Sequence, residues 1–120
     1  MAELCGIVGI GQTELAAKRI DVSMPGLVRE AAERALQDAE LTWADIDAVV
    51  VGKAPDTFEG CLLPELYLAD ALGGAGKPML RVHTAGSVGG STANVAASLI
   101  QGGTKLTLNS PYAEKSITML

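Results

Sequence analysis

The 120-residue chain is predicted to fold as an α/β domain: a mixed, mostly parallel sheet with helices on both faces. Three observations predict it. Short apolar runs alternate with helix-length segments in the order strand, helix, strand, helix, strand, helix, strand, which implies crossover connections and a largely parallel sheet. The runs at Leu4–Ile10, Ala48–Val51 and Met79–Val82 are almost continuously apolar, as strands covered on both faces are. Finally, 48% apolar and 19% charged residues suit one folded domain with a modest core and exclude a disordered chain.

Leu4–Ile10 reads as a buried first strand, ended by Gly9 and Gly11, and the mixed segment Gln12–Val22 as a loop. Ser23 is placed to cap a helix that has Pro25 in its first turn. From there Leu27, Val28, Ala31, Ala32, Ala35, Leu36 and Ala39 follow the 3, 4, 3, 4 spacing of one buried helical face. Arg29, Glu30, Glu33, Arg34, Gln37 and Asp38 fill the opposite, solvated face. Thr42 and Asp45 have capping-box spacing.

Ala48–Val51 is the second strand, closed by Gly52, and is followed by a loop at 53–60. A helix over Leu62–Leu72, with Pro64 in its first turn, ends at Gly73 and Gly74. Met79–Val82 is the third strand. It runs into a turn holding Gly86, Gly89 and Gly90, from which a small-residue helix opens near Ser91 and closes on Gly102 and Gly103. Lys105–Leu108 reads as a fourth strand, and 109–120, with Pro111 and no clear period, as a poorly defined tail. The whole of 1–120 is read as one domain.

Nine basic against fourteen acidic residues leave a net charge of −5, which offers no general attraction for nucleic acid or an anionic membrane. No apolar run approaches the roughly 20 residues of a membrane span. The start lacks the basic region and apolar run of a signal peptide. Cys5 and Cys61 are far apart and read as reduced thiols used as small hydrophobes. The expected setting is cytoplasmic.

Several chemistries fail on spacing. Gly6, Gly9 and Gly11 miss the dinucleotide fingerprint, because Glu14 stands where its third glycine belongs and would repel a pyrophosphate. No phosphate-loop motif occurs. His83 is the only histidine, so no metal ligand set is predicted. His83 lies four residues before Ser87 with no Gly-x-Ser-x-Gly elbow, which gives no support for a serine triad. What remains is the strand–turn–helix at 78–103. Backbone N–H groups and the positive end of a helix dipole there favour an anion, an oxyanion or an ionised nucleophile.

That stretch carries a resemblance. Ser87-Val-Gly-Gly-Ser-Thr-Ala93, followed by an alanine-rich helix and Ile100-Gln-Gly-Gly103, resembles the nucleophile loop of the thiolase superfamily. The likeness is to the sterol-carrier-protein-type and actinobacterial lipid-transfer-type thiolases. The opening Ile7-Val-Gly-Ile-Gly-Gln-Thr-Glu14, the loop Ala-Pro-Asp-Thr-Phe-Glu-Gly at 54–60, the run at 81–91 and Glu114-Lys115-Ser116 agree with it, so it covers nearly the whole chain.

The resemblance implies the N-terminal part of a protein that makes or breaks a carbon–carbon bond next to an acyl-CoA thioester carbonyl, in lipid or steroid degradation. Coenzyme A thioester would be the substrate, with no covalently bound cofactor. In the family a cysteine at the amino end of the buried helix is the nucleophile, its thiolate favoured by the dipole. Aligned on Gly90–Ala93, this chain has Ser87 there; anchored on Ile100–Gly103, it has Gly86. Neither register supplies a thiol. Ser87 is the candidate catalytic position, and His83, Gly86, Gly89 and Gly90 are the candidate substrate-binding residues. The bland reading of Ser87 is a turn residue or helix cap.

Thiolases of this kind are much longer, with Gly-His acid/base motifs in a later part that has no counterpart here. The isolated chain is therefore expected to be inactive and to associate through uncovered surface. A thioester-dependent retro-aldol cleavage, which needs no acyl-cysteine, fits the departure better than acyl transfer. The resemblance further implies a homodimer through 79–84 and a small partner with a zinc ribbon and an OB-fold. The competing class is a non-catalytic thiolase-like module that binds a partner.

Overall fold

A computed structural model describes residues 4–53, 60, 62–103, 107–111 and 115–119, the last two segments as backbone. Five strands, β1 (Ile7–Gln12), β2 (Ala48–Gly52), β3 (Met79–Val82), β4 (Thr107–Pro111) and β5 (Lys115–Met119), form one sheet in the order β1-β5-β4-β2-β3. Helices α1 (Met24–Ala39), α2 (Pro64–Leu68) and α3 (Val88–Gln101) connect them. β2 runs parallel to both β3 and β4, whereas β5 is antiparallel to β4 and β1. The sheet is mixed and mostly parallel, as its sequence predicts.

β2 lies inside the sheet between β4 and β3, and its period-two alternation divides the core. Val49 and Val51 face Val28, Ala32 and Leu36 of α1, with Ile46, Leu68 and Leu72 completing that cluster. Val50 faces the other way, onto Ala96, with Ala93, Leu99 and Ile100 of α3 packed alongside. The helices thus cover both faces, α1 and α2 on one and α3 on the other. Among the described residues, α3 is the one helix on its side.

α1 follows its spacing closely: Val28, Ala31, Ala32, Ala35 and Leu36 are buried. The Ser23 hydroxyl accepts the Gly26 N–H at 3.2 Å, as an N-cap does. The helix ends where Glu40 turns left-handed (φ 57°) and the Leu41 N–H bonds back to Leu36 O at 2.9 Å. Beyond it, the Asp45 carboxylate accepts from the Thr42 N–H at 2.8 Å and from the Thr42 hydroxyl at 3.0 Å.

Four boundaries differ from the sequence reading. Gly9 and Gly11 lie within β1 and are buried, because α1 crosses there with its backbone against the strand. A Cβ at Gly11 would stand 2.2 Å from Ala31 O, and one at Gly9 2.6 Å from Ala35 O. α2 is shorter than 62–72, closing at Leu68 and continuing as turns to Gly73, whose φ of +59° brings it under the Trp43 ring. α3 opens at Val88, three residues before Ser91, directly from a 3-10 turn over Ala85–Ser87. Within 109–120, read as an undefined tail, lie the end of β4 and all of β5; β5 closes the gap between β4 and β1. β5 runs antiparallel to β4, so the chain direction reverses there and the strand–helix alternation stops. The 54–59 part of the expected loop, Cys61, Lys105 and Glu114 lie outside the described residues.

Candidate functional site

The site is built where β3 ends. The sheet carries the chain along Met79–Val82 to its edge, and His83 and Thr84 leave it. The 3-10 turn then feeds α3. α3 is docked by a close fit to β2: Thr92, fully buried, donates to Val88 O at 2.6 Å, and Gly52 leaves room for its hydroxyl. A Cβ at Gly52 would lie 2.0 Å from Thr92 Oγ1. The amino end of α3 is thereby held beside the carboxyl ends of β2 and β3.

The turn contains a backbone outlier. Ala85 has φ +50°, in the left-handed region that L side chains rarely occupy. Strain of this kind persists only where its surroundings over-determine it. Here the Ser87 N–H bonds Thr84 O at 3.2 Å, and the Val88 N–H bonds Ala85 O. The His83 ring adds a long contact, its Nδ1 accepting the Ala85 N–H at 3.4 Å.

Three hydroxyls meet above this turn. Ser87 Oγ lies 2.9 Å from Thr84 O and 3.1 Å from Thr84 Oγ1, and the Thr84 hydroxyl donates to Ser91 Oγ at 2.7 Å. The Ser87 proton is thus directed at Thr84, and His83 Nδ1 faces the backbone. A serine attacks a thioester only when a base draws its proton away. No hydrogen bond links Ser87 and His83 among the described residues.

His83, Gly86, Ser87, Gly89 and Gly90, singled out in sequence, stand on this one exposed turn and the first turn of α3. Gly86, Gly89 and Gly90 have no neighbour within 4 Å of a would-be Cβ among the described residues, and none has a positive φ. Two residues of the turn, and one buried residue near the end of β3, escaped sequence reasoning. Thr84 carried a usable signal, a hydroxyl three residues before Ser87. The left-handed Ala85 carried none. Lys53, only 4% exposed at the end of β2, reads in sequence as the first residue of a loop. Among the described residues no group of three His, Cys, Asp or Glu side chains is placed to hold a metal ion, and no helix is long and apolar enough to cross a membrane.

No protein-family model and no curated protein sequence matches the chain. Solved structures do. The priming β-ketosynthase of the R1128 polyketide biosynthetic pathway superposes with a TM-score of 0.74 at 14% identity, over 98% of this chain and 50% of that one. The 3-oxoacyl-[acyl-carrier-protein] synthase III of Aquifex aeolicus VF5 gives 0.71 at 15% identity, over 96% and 53%. The Ltp2–ChsH2(DUF35) aldolase gives 0.67 at 28% identity, over 87% of this chain and 26% of that one. The chain spans about half the length of the two synthases. Its mixed five-stranded sheet, with α1 and α2 on one face and α3 on the other, is a thiolase-like fold.

Proposed function

We propose that this chain supplies the first half of a thiolase-like scaffold acting on acyl-CoA thioesters, and that the reaction is retro-aldol cleavage in lipid or steroid degradation. One observation carries the choice of reaction: the turn from β3 into α3 offers no thiol, and the Ser87 hydroxyl is bonded to Thr84 and, among the described residues, to no base. Acyl transfer through a covalent acyl-enzyme needs an activated nucleophile at that position. Retro-aldol cleavage does not. A base takes the proton of the β-hydroxyl group, the Cα–Cβ bond breaks to leave a carbonyl compound, and its electron pair passes to the thioester as an enolate that is then protonated at Cα.

The part assigned to this chain is electrostatic. The positive end of the α3 dipole favours the negative charge that develops on the enolate oxygen. The bare backbone at Gly86, Gly89 and Gly90 lets a thioester come within hydrogen-bonding distance, and His83 borders it. The base belongs to the remainder of the scaffold. The 28% identity with the Ltp2–ChsH2(DUF35) aldolase supports this reading over a condensing one. A small zinc-ribbon/OB-fold partner and a homodimer through 79–84 belong to the same proposal.

A second reading rests on exposed apolar surface. Leu62, Leu63, Leu66 and Tyr67 stand out around α2, each more than half exposed. A non-catalytic module that binds a partner through this surface would leave the 120-residue chain inactive. The complete protein carrying this chain, given a β-hydroxyacyl-CoA, separates the two. Release of a carbonyl compound and a shortened acyl-CoA, unchanged in Ser87→Ala and without an acyl adduct by intact mass, is expected for the aldolase. An adduct on Ser87, or loss of turnover in Ser87→Ala, defeats the retro-aldol assignment; no cleavage of any such ester leaves the binding module.

A further inference from the structure

Among the described residues the sheet has two edge strands, β1 and β3. An edge presents unpaired N–H and C=O groups to which another chain can add. β1 is a hazardous edge by composition, since Ile7 and Ile10 are 58% and 63% exposed and Val8 lies at the surface between them. Short apolar β-formers in such a place promote strand-to-strand association.

Two of its outer backbone groups are nevertheless occupied. The Ile10 N–H donates to Asp38 Oδ2 at 2.9 Å, and the Gln12 carbonyl accepts from Arg34 Nη1 at 2.5 Å. Alternate residues of a strand direct their backbone groups to the same side, so Ile10 and Gln12 mark one edge, the one turned away from β5. Asp38 and Arg34 lie one turn apart on α1 and reach it together. Arg34 is also held on its own helix. Gly9 and Gly11 hold α1 against the strand, and Arg34 is bound by Glu30 Oε1 at 2.9 Å, whose other oxygen meets Arg19 at 3.1 Å. The β1–β5 register also shifts between Ile7 and Gly9, an irregularity of the kind that blunts edges.

We infer that α1 guards this edge: Asp38 and Arg34 occupy the positions that a pairing strand would take at Ile10 and Gln12, and so close β1 to strand addition by a second copy of the chain. The solvated face of α1 therefore has a use that its charge pattern does not reveal. The inference is independent of the proposed reaction.

Removing the guard tests it. Hydrogen exchange of the Ile10 amide, read by NMR, is expected to speed up about tenfold or more in Asp38→Ala, because a charge-assisted bond is lost from an exposed edge. Sedimentation velocity of Asp38→Ala/Arg34→Ala is expected to show association beyond that of the unaltered chain. Adding Ile10→Lys, a charge on the newly opened edge, should remove that excess and leave association through other surfaces unchanged. Unchanged exchange at Ile10, sedimentation like the unaltered chain, or an excess that survives Ile10→Lys would overturn the inference. If circular dichroism shows the double variant unfolded, the single Asp38→Ala change, which removes an exposed side chain and no packing, carries the same three readings.

Discussion

Replacing Gly11 with alanine should separate the first helix from the first strand. The new methyl carbon would sit 2.2 Å from Ala31 O, 2.4 Å from Ala35 N and 2.9 Å from Arg34 Cβ. Two of these are backbone atoms inside a helix and cannot turn aside. Ordinary contact begins near 3.4 Å, so α1 must retreat by about 1.2 Å. A gap of that size forfeits about a quarter to a half of each dispersion contact it opens. The contacts at risk are those of Val28, Ala31, Ala32, Ala35 and Leu36, the entire buried face of α1. Overpacking of this kind costs about 3 kcal/mol, a large part of the roughly 5–15 kcal/mol that holds a domain together. With a urea slope of roughly 2 kcal/mol/M, the unfolding midpoint should fall by about 1.5 M. Gly6→Ala is the control: no atom lies within 4 Å of its would-be Cβ, and it should stay within about 0.5 kcal/mol of the parent. A Gly11→Ala midpoint as close to the parent as the control's would refute the packing of α1 on β1 described above.

The same approach applies to the fit between Gly52 and Thr92. Gly52→Ala should destabilise by about 2 kcal/mol, and Thr92→Ala on that background should recover part of the loss; additive losses in a double-mutant cycle would mean that the two do not touch. In the loop before α1, the Asp21 carboxyl is lowered from 3.8 to about 2, first by the hydrogen bonds from Arg19 and then by a backbone N–H. Its contribution to stability is therefore present above the ordinary value and is lost as pH falls through about 2. An NMR titration should place Asp21 near 2 and move it back toward 3.8 in Arg19→Gln.

The helices and central strands were legible because each carries its own period. α1 shows its buried face as a 3, 4, 3, 4 pattern and its start as Ser23 and Pro25. β2 shows burial on both sides as an unbroken run of Ala and Val. β5 was hidden for a physical reason: its place is set by pairing on both sides, with β4 and with β1, and nothing in the period of 115–119 records a partner more than a hundred residues away. β1 was misjudged at its end because a glycine in a strand has two meanings. It can break the strand, or it can admit another backbone. The choice at Gly9 and Gly11 depends on where α1 lies, which the sequence of β1 alone does not contain.

That ambiguity runs through the candidate site as well. The glycines at 9, 11 and 52 are required by neighbours inside this chain, Ala35, Ala31 and Thr92. Those at 86, 89 and 90 have no such neighbour among the described residues, and their φ angles lie outside the left-handed region. Gly89 and Gly90 occupy the first turn of α3, where glycine is less favourable than alanine by up to about 1 kcal/mol each. Internal packing does not account for that cost. Under the proposed function, a ligand or a further part of the scaffold drawn close to this bare backbone would meet it where the strained Ala85 and the Thr84–Ser87–Ser91 hydroxyls converge. The motif could be read because its residues are small and regularly spaced. Its strain could not, because it falls on an alanine.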